Sequence, residues 1–362
     1  MHAGPNAASA VPERVGRPTM KDVARRAGVS LKTVSRVVNG EPTVTPALAA
    51  RVRVAVEALH YRPDIGASTL RRSDRRTSTI GLLLEDVGNP FSSSLHRAVE
   101  DEARGRGVQV LTGSLDEDPQ RERELTRALA MRRADGLIMA PAGTDHRYLA
   151  TELGADTPVV FVDRAGTGFL ADTVLATNVT GATDAVRHLV AHGHRRIAYL
   201  GDYTSIPTAR SRHQGYRAAL GETGSDVDDG LVVRDLHDIG AAESAVMTMF
   251  ARSHPPTALF TSQNLVTIGA VRALRRLRLH HDVAVVGFDD FPLADLIEPA
   301  VTVVAQDVAL MGRTAARAVF DRIDGDDGPP REFWIPTTLI RRGSGELTPS
   351  QALLEGRAPT PL

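Results

Sequence analysis

Residues 22–40 read DVARRAGVSLKTVSRVVNG, and their pattern predicts two short helices joined by a tight turn. Thr19 precedes the first helix as an N-cap, and an acid three residues later completes a pattern that satisfies the free amides of a helix start. Gly28 provides the left-handed geometry of the turn. Ser30 caps a second helix over 31–39, whose valines recur at helical spacing. Two helices around a three-residue turn are the helix-turn-helix geometry.

A third helix is predicted to begin at Pro46, after the N-cap Thr45, and to run to about His60. In a helix-turn-helix protein the second helix lies in the DNA major groove, with its N-terminal residues against base edges. The alternative is a set of three small helices with a solvated basic face. The candidates for base contacts are Leu31, Lys32, Thr33 and Arg36, and the other candidates for DNA contacts, mainly with phosphates, are Thr19, Ser30, Ser35 and Asn39.

The charges are divided unevenly along the chain of 362 residues. Residues 1–76 contain 14 Lys and Arg against 6 Asp and Glu, whereas the remainder contains 29 against 38. A short basic segment on a long acidic body is typical of a nucleic-acid module fused to another domain. The absence of cysteine excludes a disulfide scaffold, a thiol nucleophile and a thiolate metal site.

Neither end of the chain has the pattern of a packed element. Residues 1–18 are rich in Ala, Gly and Pro without periodicity, so we expect a disordered tail that is no signal peptide. Residues 346–362 contain no heptad pattern, and we expect a flexible tail there. No apolar run in the sequence approaches the ~18 residues of a membrane-spanning helix.

From Thr79 onward, short apolar runs alternate with amphipathic helices. Nearly continuous apolar strands between helices indicate buried parallel sheets with right-handed crossovers, and more than six strands suggest two such sheets. The predicted strands are 79–84, 108–111, 136–140, 158–163, 196–201, 258–261 and 283–288, and the predicted helices include 95–106, 119–133, 181–192, 209–220, 241–252 and 264–277.

The helix-turn-helix segment and a series of later motifs resemble one known family. DVARRAGVSLKTVSRVVNG (22–40) and VTPALAARVRVAVEALHYRPD (44–64) strongly resemble the DNA-binding head of the lactose-repressor family of bacterial transcription regulators. Further motifs follow in that family's order and spacing. They are IGLLLEDVGNPF (80–91), DGLIMAP (135–141), PVVFVDR (158–164), HLVAHGHRRIAYLG (188–201), ARSRHQGYRAAL (209–220), VAVVGFDD (283–290) and VTVVAQDVALMGRTAARAV (301–319).

The resemblance implies an all-α DNA-binding head, 19–62, a hinge helix or linker, 63–77, and a core, 78–345. The core is implied to be periplasmic-binding-protein-like, with two doubly wound α/β subdomains joined by three crossovers. The first subdomain is expected at 78–176 plus 306–333, and the second at 177–305 plus 334–344. Members of the family are typically homodimers that hold two heads on a pseudo-palindromic operator.

The resemblance also gives the linker a role. Residues 63–72 match the family's hinge helix, in which Leu70 corresponds to the leucine that wedges into a minor-groove step and kinks the duplex. Ala67 is small enough for two hinge helices to pack closely, whereas Gly66 departs from the usual larger residue and lowers helix propensity. The alternative is that Leu70 is only an apolar residue of a linker.

A cleft between two such subdomains is a natural site for a small-molecule effector, which the resemblance implies is a carbohydrate or a related compound. The chain departs from the family's usual pattern at Gln263-Asn264, where one carboxylate is missing, and at Ala176, where a stacking aromatic can occur. Trp334 lies outside the recognised cleft positions. The alternative is a mutual salt bridge between an arginine and an aspartate across an empty cleft. The expected effector-binding residues are Asn89, Phe91, Asp163, Thr208, Arg212, Gln263 and Asp289.

These observations predict a cytoplasmic, dimeric DNA-binding repressor whose affinity for the operator is switched allosterically by the effector. The alternative is a solute-binding protein or a sugar-processing enzyme with an accessory head. The missing signal peptide argues against the first, and the missing catalytic constellation argues against the second. We therefore expect no catalytic residues, no metal site, no cofactor and no membrane partner. Because the C-terminal residues lack leucine heptads, we expect a dimer rather than a tetramer.

Overall fold

The computed structural model describes residues 18–38, 40–41, 43–62, 76–154, 156–224 and 228–355. The chain forms two compact units, one ending at Thr77 and the other beginning at Ser78. The linker residues Ala67 and Leu70, and Asn39 of the head, lie outside the described residues. No helix within the described ranges has the length and apolarity needed to cross a membrane.

The described residues of the first unit form three helices, α1 (Met20–Ala27), α2 (Leu31–Val38) and α3 (Pro46–Ala58). Thr19 and Asp22 form the predicted capping box at α1. Gly28 has a φ of 62° and turns the chain between α1 and α2. Buried apolar side chains of all three helices pack into one small core, which includes Val23, Val34, Val52 and Ala55.

The second unit alternates strands and helices. Its strands are β1 (Thr79–Leu84), β2 (Gln109–Ser114), β3 (Gly136–Met139), β4 (Val159–Val162), β5 (Asp172–Ala176), β6 (Ile197–Leu200), β7 (Val232–Val233), β8 (Ala258–Thr261), β9 (Ala284–Phe288), β10 (Thr302–Gln306), β11 (Glu332–Ile335) and β12 (Thr337–Ile340). Its α-helices are α4 (Pro90–Gly105), α5 (Pro119–Met131), α6 (Leu149–Glu152), α7 (Asn178–Ala191), α8 (Pro207–Gly221), α9 (Ile239–Phe250), α10 (Asn264–Arg276), α11 (Val308–Ile323) and α12 (Gln351–Leu354).

The strands form two six-stranded sheets, each covered by helices. The first has the order β11-β5-β4-β3-β1-β2 and is parallel throughout. The second has the order β12-β10-β9-β8-β6-β7 and is parallel except for the edge strand β12. Several helices begin where a side chain caps the free amides, as the sequence favours. These caps are Asn89, Asp118, Asp238, Gln263 and Asp307.

The chain passes between the sheets three times, after β5, after β10 and after β11. The last passage lies later than the sequence predicted. Trp334 and Ile335 pair with β5 in the first sheet, whereas we expected residues from 334 onward to belong to the second subdomain. The ladder hydrogen bonds of these two residues are made with β5, and β12 begins only after Pro336.

The predicted flexible tail at 346–362 is wrong for its first part. Glu346 lies 2.8 Å from Nε2 of His188 and accepts a hydrogen bond from the hydroxyl of Thr302. The carbonyl of Leu347 lies 2.8 Å from Nε2 of His194, and Leu353 is buried in the core of the second subdomain. These polar and apolar contacts fix the segment, although it carries no long periodic pattern.

Asp172 links three parts of the first subdomain through one buried carboxylate. It accepts hydrogen bonds from Arg322 of α11 at 2.8 and 3.0 Å and from the side chain and backbone amide of Arg331, at 3.0 and 2.7 Å, ahead of β11. Burial alone raises the pKa of a carboxyl, but the hydrogen bonds from the two arginines outweigh it and lower the pKa of Asp172 to about 2.

Asp172→Asn is expected to destabilise the protein by about 1.5–3 kcal/mol, because it replaces the buried carboxylate that accepts hydrogen bonds from both arginines. Urea unfolding of the full chain measures this. The matched control is Asp116→Asn, which breaks an exposed pair with Arg121 in the same subdomain and should cost under about 1 kcal/mol. The difference between the native protein and Asp172→Asn should shrink as the pH falls from 3.8 toward about 2, since the native carboxylate then becomes protonated. Equal losses in the two variants would contradict the assigned role of Asp172.

Candidate functional site

The exposed face of α2 carries most of the predicted DNA contacts. Leu31 is 41% exposed, Lys32 is exposed, and Arg36 follows Lys32 by four residues, which places both cations on one side of the helix. Ser30 is used at the helix start, where its Oγ accepts a hydrogen bond from the backbone amide of Thr33 at 3.1 Å. The hydroxyls of Ser30 and Thr33 are also hydrogen-bonded to each other at 2.9 Å.

Arg36 is held near the end of α2 by an exposed ion pair with Glu41, at 3.5 Å. Arg51 of α3, which sequence reasoning missed, donates hydrogen bonds from Nη2 to the carbonyls of Ala27 and Gly28 at 2.7 and 3.4 Å. This contact fixes the turn that sets the angle between α1 and α2. Of the remaining residues that were predicted to contact DNA, Ser35 is half-buried on α2 and Thr19 lies at the start of α1.

Arg212 of α8 lies in the second unit at the centre of a buried polar cluster. Its Nε donates to Oδ1 of Asn178, and its Nη1 donates to the carbonyl of Ser262, both at 2.7 Å. Nη1 also lies 3.0 Å from Oδ2 of Asp289, and the guanidinium stacks over the ring of Phe288 at 3.8 Å. These contacts form the salt bridge that the sequence left as an alternative to ligand binding.

Asp163 and Asp289 occupy equivalent places in the two sheets. Asp163 directly follows β4, and Asp289 directly follows β9; their φ angles are 67° and 69°. The backbone amide of each donates to the neighbouring strand at 2.9 Å, to the carbonyl of Val174 or Val304. Left-handed conformations of residues other than glycine concentrate at functional sites, where the surrounding structure holds them in place.

The environment of Asp289 raises the pKa of its carboxyl above that of an ordinary aspartate and so favours the neutral form. Burial raises the pKa of Asp289; the charges of Arg212 and the hydrogen bond from Gln306 oppose this rise, and the carboxylate of Asp163 adds to it. Gln306 donates from Nε2 to Asp289 at 2.6 Å, and its own Oε1 is buried without a hydrogen-bond partner among the described residues. A ligand with a hydroxyl donor would satisfy that oxygen.

Two predicted effector residues make contacts between or within the subdomains instead of presenting free groups. Asn89 of the first subdomain accepts a hydrogen bond from Asn264 of the second at 2.9 Å and donates one back at 3.3 Å. Gln263 caps α10 through the amide of Leu265 and donates to the carbonyl of His237 at 3.1 Å. The polar bridge across the cleft therefore runs through Asn264, which was not among the predicted ligand contacts.

Two cavities lie between the subdomains. The Phe91 cavity has a volume of about 470 Å³ and is lined by residues that include Phe91, Ser94, Asp289, Phe291 and Gln306. The Trp334 cavity has a volume of about 450 Å³ and is lined by residues that include Asp163, Ala176, Asn178, Thr208, Ser211 and Trp334. Arg212 joins their walls, because it contacts Asp289 of one and Asn178 of the other. Both volumes fall in the range of small-molecule sites.

His237 is a further polar contact between the subdomains, and sequence reasoning missed it. Its Nδ1 lies 2.8 Å from Asp202, and its Nε2 lies 3.3 Å from Glu85, which directly follows β1 in the first subdomain. Tyr203 stacks on the imidazole with ring centroids 4.5 Å apart. Hydrogen bonds to Asp202 and then to Glu85 raise the pKa of His237 to about 10. Because both ring nitrogens face carboxylates, both carry protons in this arrangement.

His237→Gln is expected to lower the melting temperature most at low pH. The pKa of His237 is raised from 6.5 to about 10, so its stabilising contribution is fully present below pH 6.5 and is lost as the pH rises through about 10. Melting curves of the native protein and His237→Gln between pH 6 and about 10 measure the difference. Glu85→Gln should remove part of the same pH dependence. If the difference in melting temperature between the native protein and His237→Gln grew with pH, the assigned role of His237 would be contradicted.

Comparisons with known proteins agree with these two parts of the chain. Residues 19–64 match the family model of bacterial regulatory proteins, lacI family, and residues 186–345 match that of the periplasmic binding protein-like domain. The ribose operon repressor of Escherichia coli (strain K12) is 32% identical over 329 residues, covering 90% of this chain and 99% of the repressor.

The chain is also similar to solved structures along most of its length. The complex of the transcriptional regulator CelR with cellobiose is 32% identical, with a TM-score of 0.65, and the match covers 91% of this chain and 100% of that chain. The lac repressor dimer bound to operator and the anti-inducer ONPF is 26% identical, with a TM-score of 0.78, over 91% of this chain and 99% of that chain.

Proposed function

The chain belongs to the lacI family of bacterial regulatory proteins, and from this premise we propose how its residues bind an operator and answer an effector. It is a DNA-binding transcriptional repressor with a helix-turn-helix head, and not an enzyme. We assign its place of action to the cytoplasm, where the operator of a bacterial repressor is found.

The DNA-binding part of the proposal rests on α2. Leu31, Lys32 and Arg36 lie on its exposed side, where a lysine or arginine can donate to guanine O6 and N7, and an apolar side chain can contact a thymine methyl. Two heads of a homodimer then read the two halves of a pseudo-palindromic operator. For the hinge we propose that Leu70 is the minor-groove wedge and that Ala67 lets two hinge helices pack closely, which the resemblance to the family supports.

The effector part of the proposal rests on the cluster of Arg212, Asp289 and Gln306. A buried guanidinium, a buried carboxylate and an amide oxygen that has no partner in the described part of the chain give directional hydrogen bonds to hydroxyl groups, which a ligand lacking those hydroxyls leaves unmade. The relatives include a ribose operon repressor and a regulator solved with cellobiose. We therefore propose a carbohydrate-type effector in the cleft.

The single observation that carries the proposal is that polar groups at the carboxyl ends of strands in both sheets meet across one cleft. Asp163 comes from the first sheet and Asp289 from the second, and Asn89 and Asn264 join the subdomains directly. A ligand between these groups contacts both subdomains at once, so its binding depends on their relative arrangement. A difference in affinity between two arrangements is what allosteric switching requires.

The test uses the full chain. A preferred duplex is first selected from random DNA, and its affinity is then measured with and without ribose, galactose and cellobiose. At least one sugar should change the affinity several-fold, consistent with a coupling free energy of about 1–3 kcal/mol. If no duplex were preferred, the proposal of sequence-specific DNA binding would be rejected. If a duplex were preferred but no sugar changed its affinity, the proposal of a carbohydrate effector would be rejected.

A further inference from the structure

Trp334 is the one tryptophan of the chain, and its indole is 56% exposed. It lies on β11 opposite Leu175 of β5, one residue before the strand ends at Ile335. The indole Nε1 donates a hydrogen bond to the carboxylate of Glu332 at 3.3 Å. The ring therefore lies beside the last passage between the subdomains.

The residues around the ring come from both subdomains. Asp163 and Ala176 contribute from the first, and Thr208 and Ser211 of α8 contribute from the second. The Trp334 cavity thus combines one aromatic wall with several polar groups, which include the carboxylate of Asp163, the guanidinium of Arg164 and the hydroxyls of threonine and serine residues. Small-molecule sites typically have such a composition, with apolar or aromatic walls and a few placed polar groups.

The aromatic side chain at this cavity comes from β11 and not from β5. Ala176, the last residue of β5, borders the Trp334 cavity, but its methyl group is buried in the core of the first subdomain and provides no stacking surface. It pairs with Ile335, the neighbour of Trp334, on the adjacent strand. An aromatic ring is therefore present at this wall, but it is supplied by the edge strand and not by the strand where the sequence sought it.

We propose that Trp334 is the stacking wall of an effector subsite and takes the apolar face of a sugar ring whose hydroxyl groups reach Asp163 and Thr208. The inference rests on the proposed function, because it takes a carbohydrate-type effector in the cleft as given. It adds the position of one ring of that effector, beside the passage from β11 to β12. It also makes the chain a natural fluorescent reporter of its own ligand.

The experiment measures melting temperature and tryptophan emission on the same samples of the full chain with ribose, galactose or cellobiose. A sugar that raises the melting temperature binds the folded state and should also shift the emission of Trp334. Trp334→Ala should weaken the binding of that sugar by roughly two- to tenfold, measured by calorimetry, because the free energy of a stacked aromatic contact corresponds to about that change in affinity. Trp334→Phe keeps a ring and should retain most of the affinity.

Leu170→Ala is the matched control, since Leu170 is an even more exposed apolar residue of the same subdomain and lies outside the Trp334 cavity. Its affinity for the sugar should equal that of the native protein. The proposal is overturned if a sugar raises the melting temperature while Trp334→Ala binds that sugar as tightly as the native protein does, whether or not the emission shifts. In that case the proposed function still stands. If no sugar changes the melting temperature or operator binding, the carbohydrate effector and this inference fail together.

Discussion

Arg212→Ala is expected to abolish the change in operator affinity that the effector causes, while operator binding without effector persists. The guanidinium makes the buried bonds to Asn178, Ser262 and Asp289, so a hydroxylated ligand loses its central donor when the side chain is removed. The ratio of operator affinities with and without effector should fall from several-fold to about one, which is loss of a coupling of about 1–3 kcal/mol. Fluorescence anisotropy with labelled operator measures this ratio.

The same substitution also affects stability. It leaves the carboxyl of Asp289 buried without its cation, which costs about 3–5 kcal/mol when one partner of a buried pair is removed. The double variant Arg212→Met, Asp289→Asn removes both charges, so it should regain part of that stability without regaining the effector response. Arg210→Ala, on the same helix, removes an exposed arginine and should keep the response. If Arg212→Ala still responded normally to the effector, the assignment of this site would be wrong.

Arg36→Ala is expected to weaken binding to the preferred operator about 5- to 150-fold, which corresponds to ~1–3 kcal/mol for a bidentate contact with a base. Binding to random duplex should change much less, because the contact reads a base and not only a phosphate. The fold of the head should persist, since the exposed pair between Arg36 and Glu41 contributes about 0–1 kcal/mol. Competition with random DNA at fixed salt measures both affinities.

Arg53→Ala is the matched control for charge. Arg53 is an exposed arginine of α3 and not of α2, and its removal lowers the positive charge of the head by the same amount. If Arg36→Ala and Arg53→Ala weakened operator and random DNA equally, α2 would contribute only general attraction and the assignment of base contacts would be wrong.

The helices were more predictable from the sequence than the strands. The helices of the head and the six predicted helices of the body agree with the structure to within five residues at either end, because each has apolar residues at helical spacing. Strands β5, β7, β10, β11 and β12 were missing from the predicted strands. Strand β7 has only two residues, and β11 and β12 are largely half-buried or exposed, so no long apolar run marks these three. Strands β5 and β10 are buried except for one half-buried residue each, and the sequence prediction overlooked them.

The site shows a similar division. Asp163, Arg212 and Asp289 were recognised by resemblance, and the structure brings Arg212 into contact with Asp289. His237 carries no local pattern, because its two partners are carboxylates at the ends of strands far away in sequence. Trp334 was set aside because it lies near the last crossover and outside the recognised cleft positions, and the sequence did not reveal that β11 pairs with β5. Only the topology of the sheet brings these residues to the cleft.

The three passages of the chain between the sheets have a consequence for how such genes recombine. Each sheet is assembled from separate segments, so a single exchange between two related genes cannot transfer one whole sheet with its half of the cleft. The helical unit that ends at Thr77 is, by contrast, one continuous segment. A single exchange near that point joins a new DNA specificity to an intact pocket. Such an exchange therefore changes the DNA specificity independently of the effector specificity, and it keeps the two walls of the pocket together.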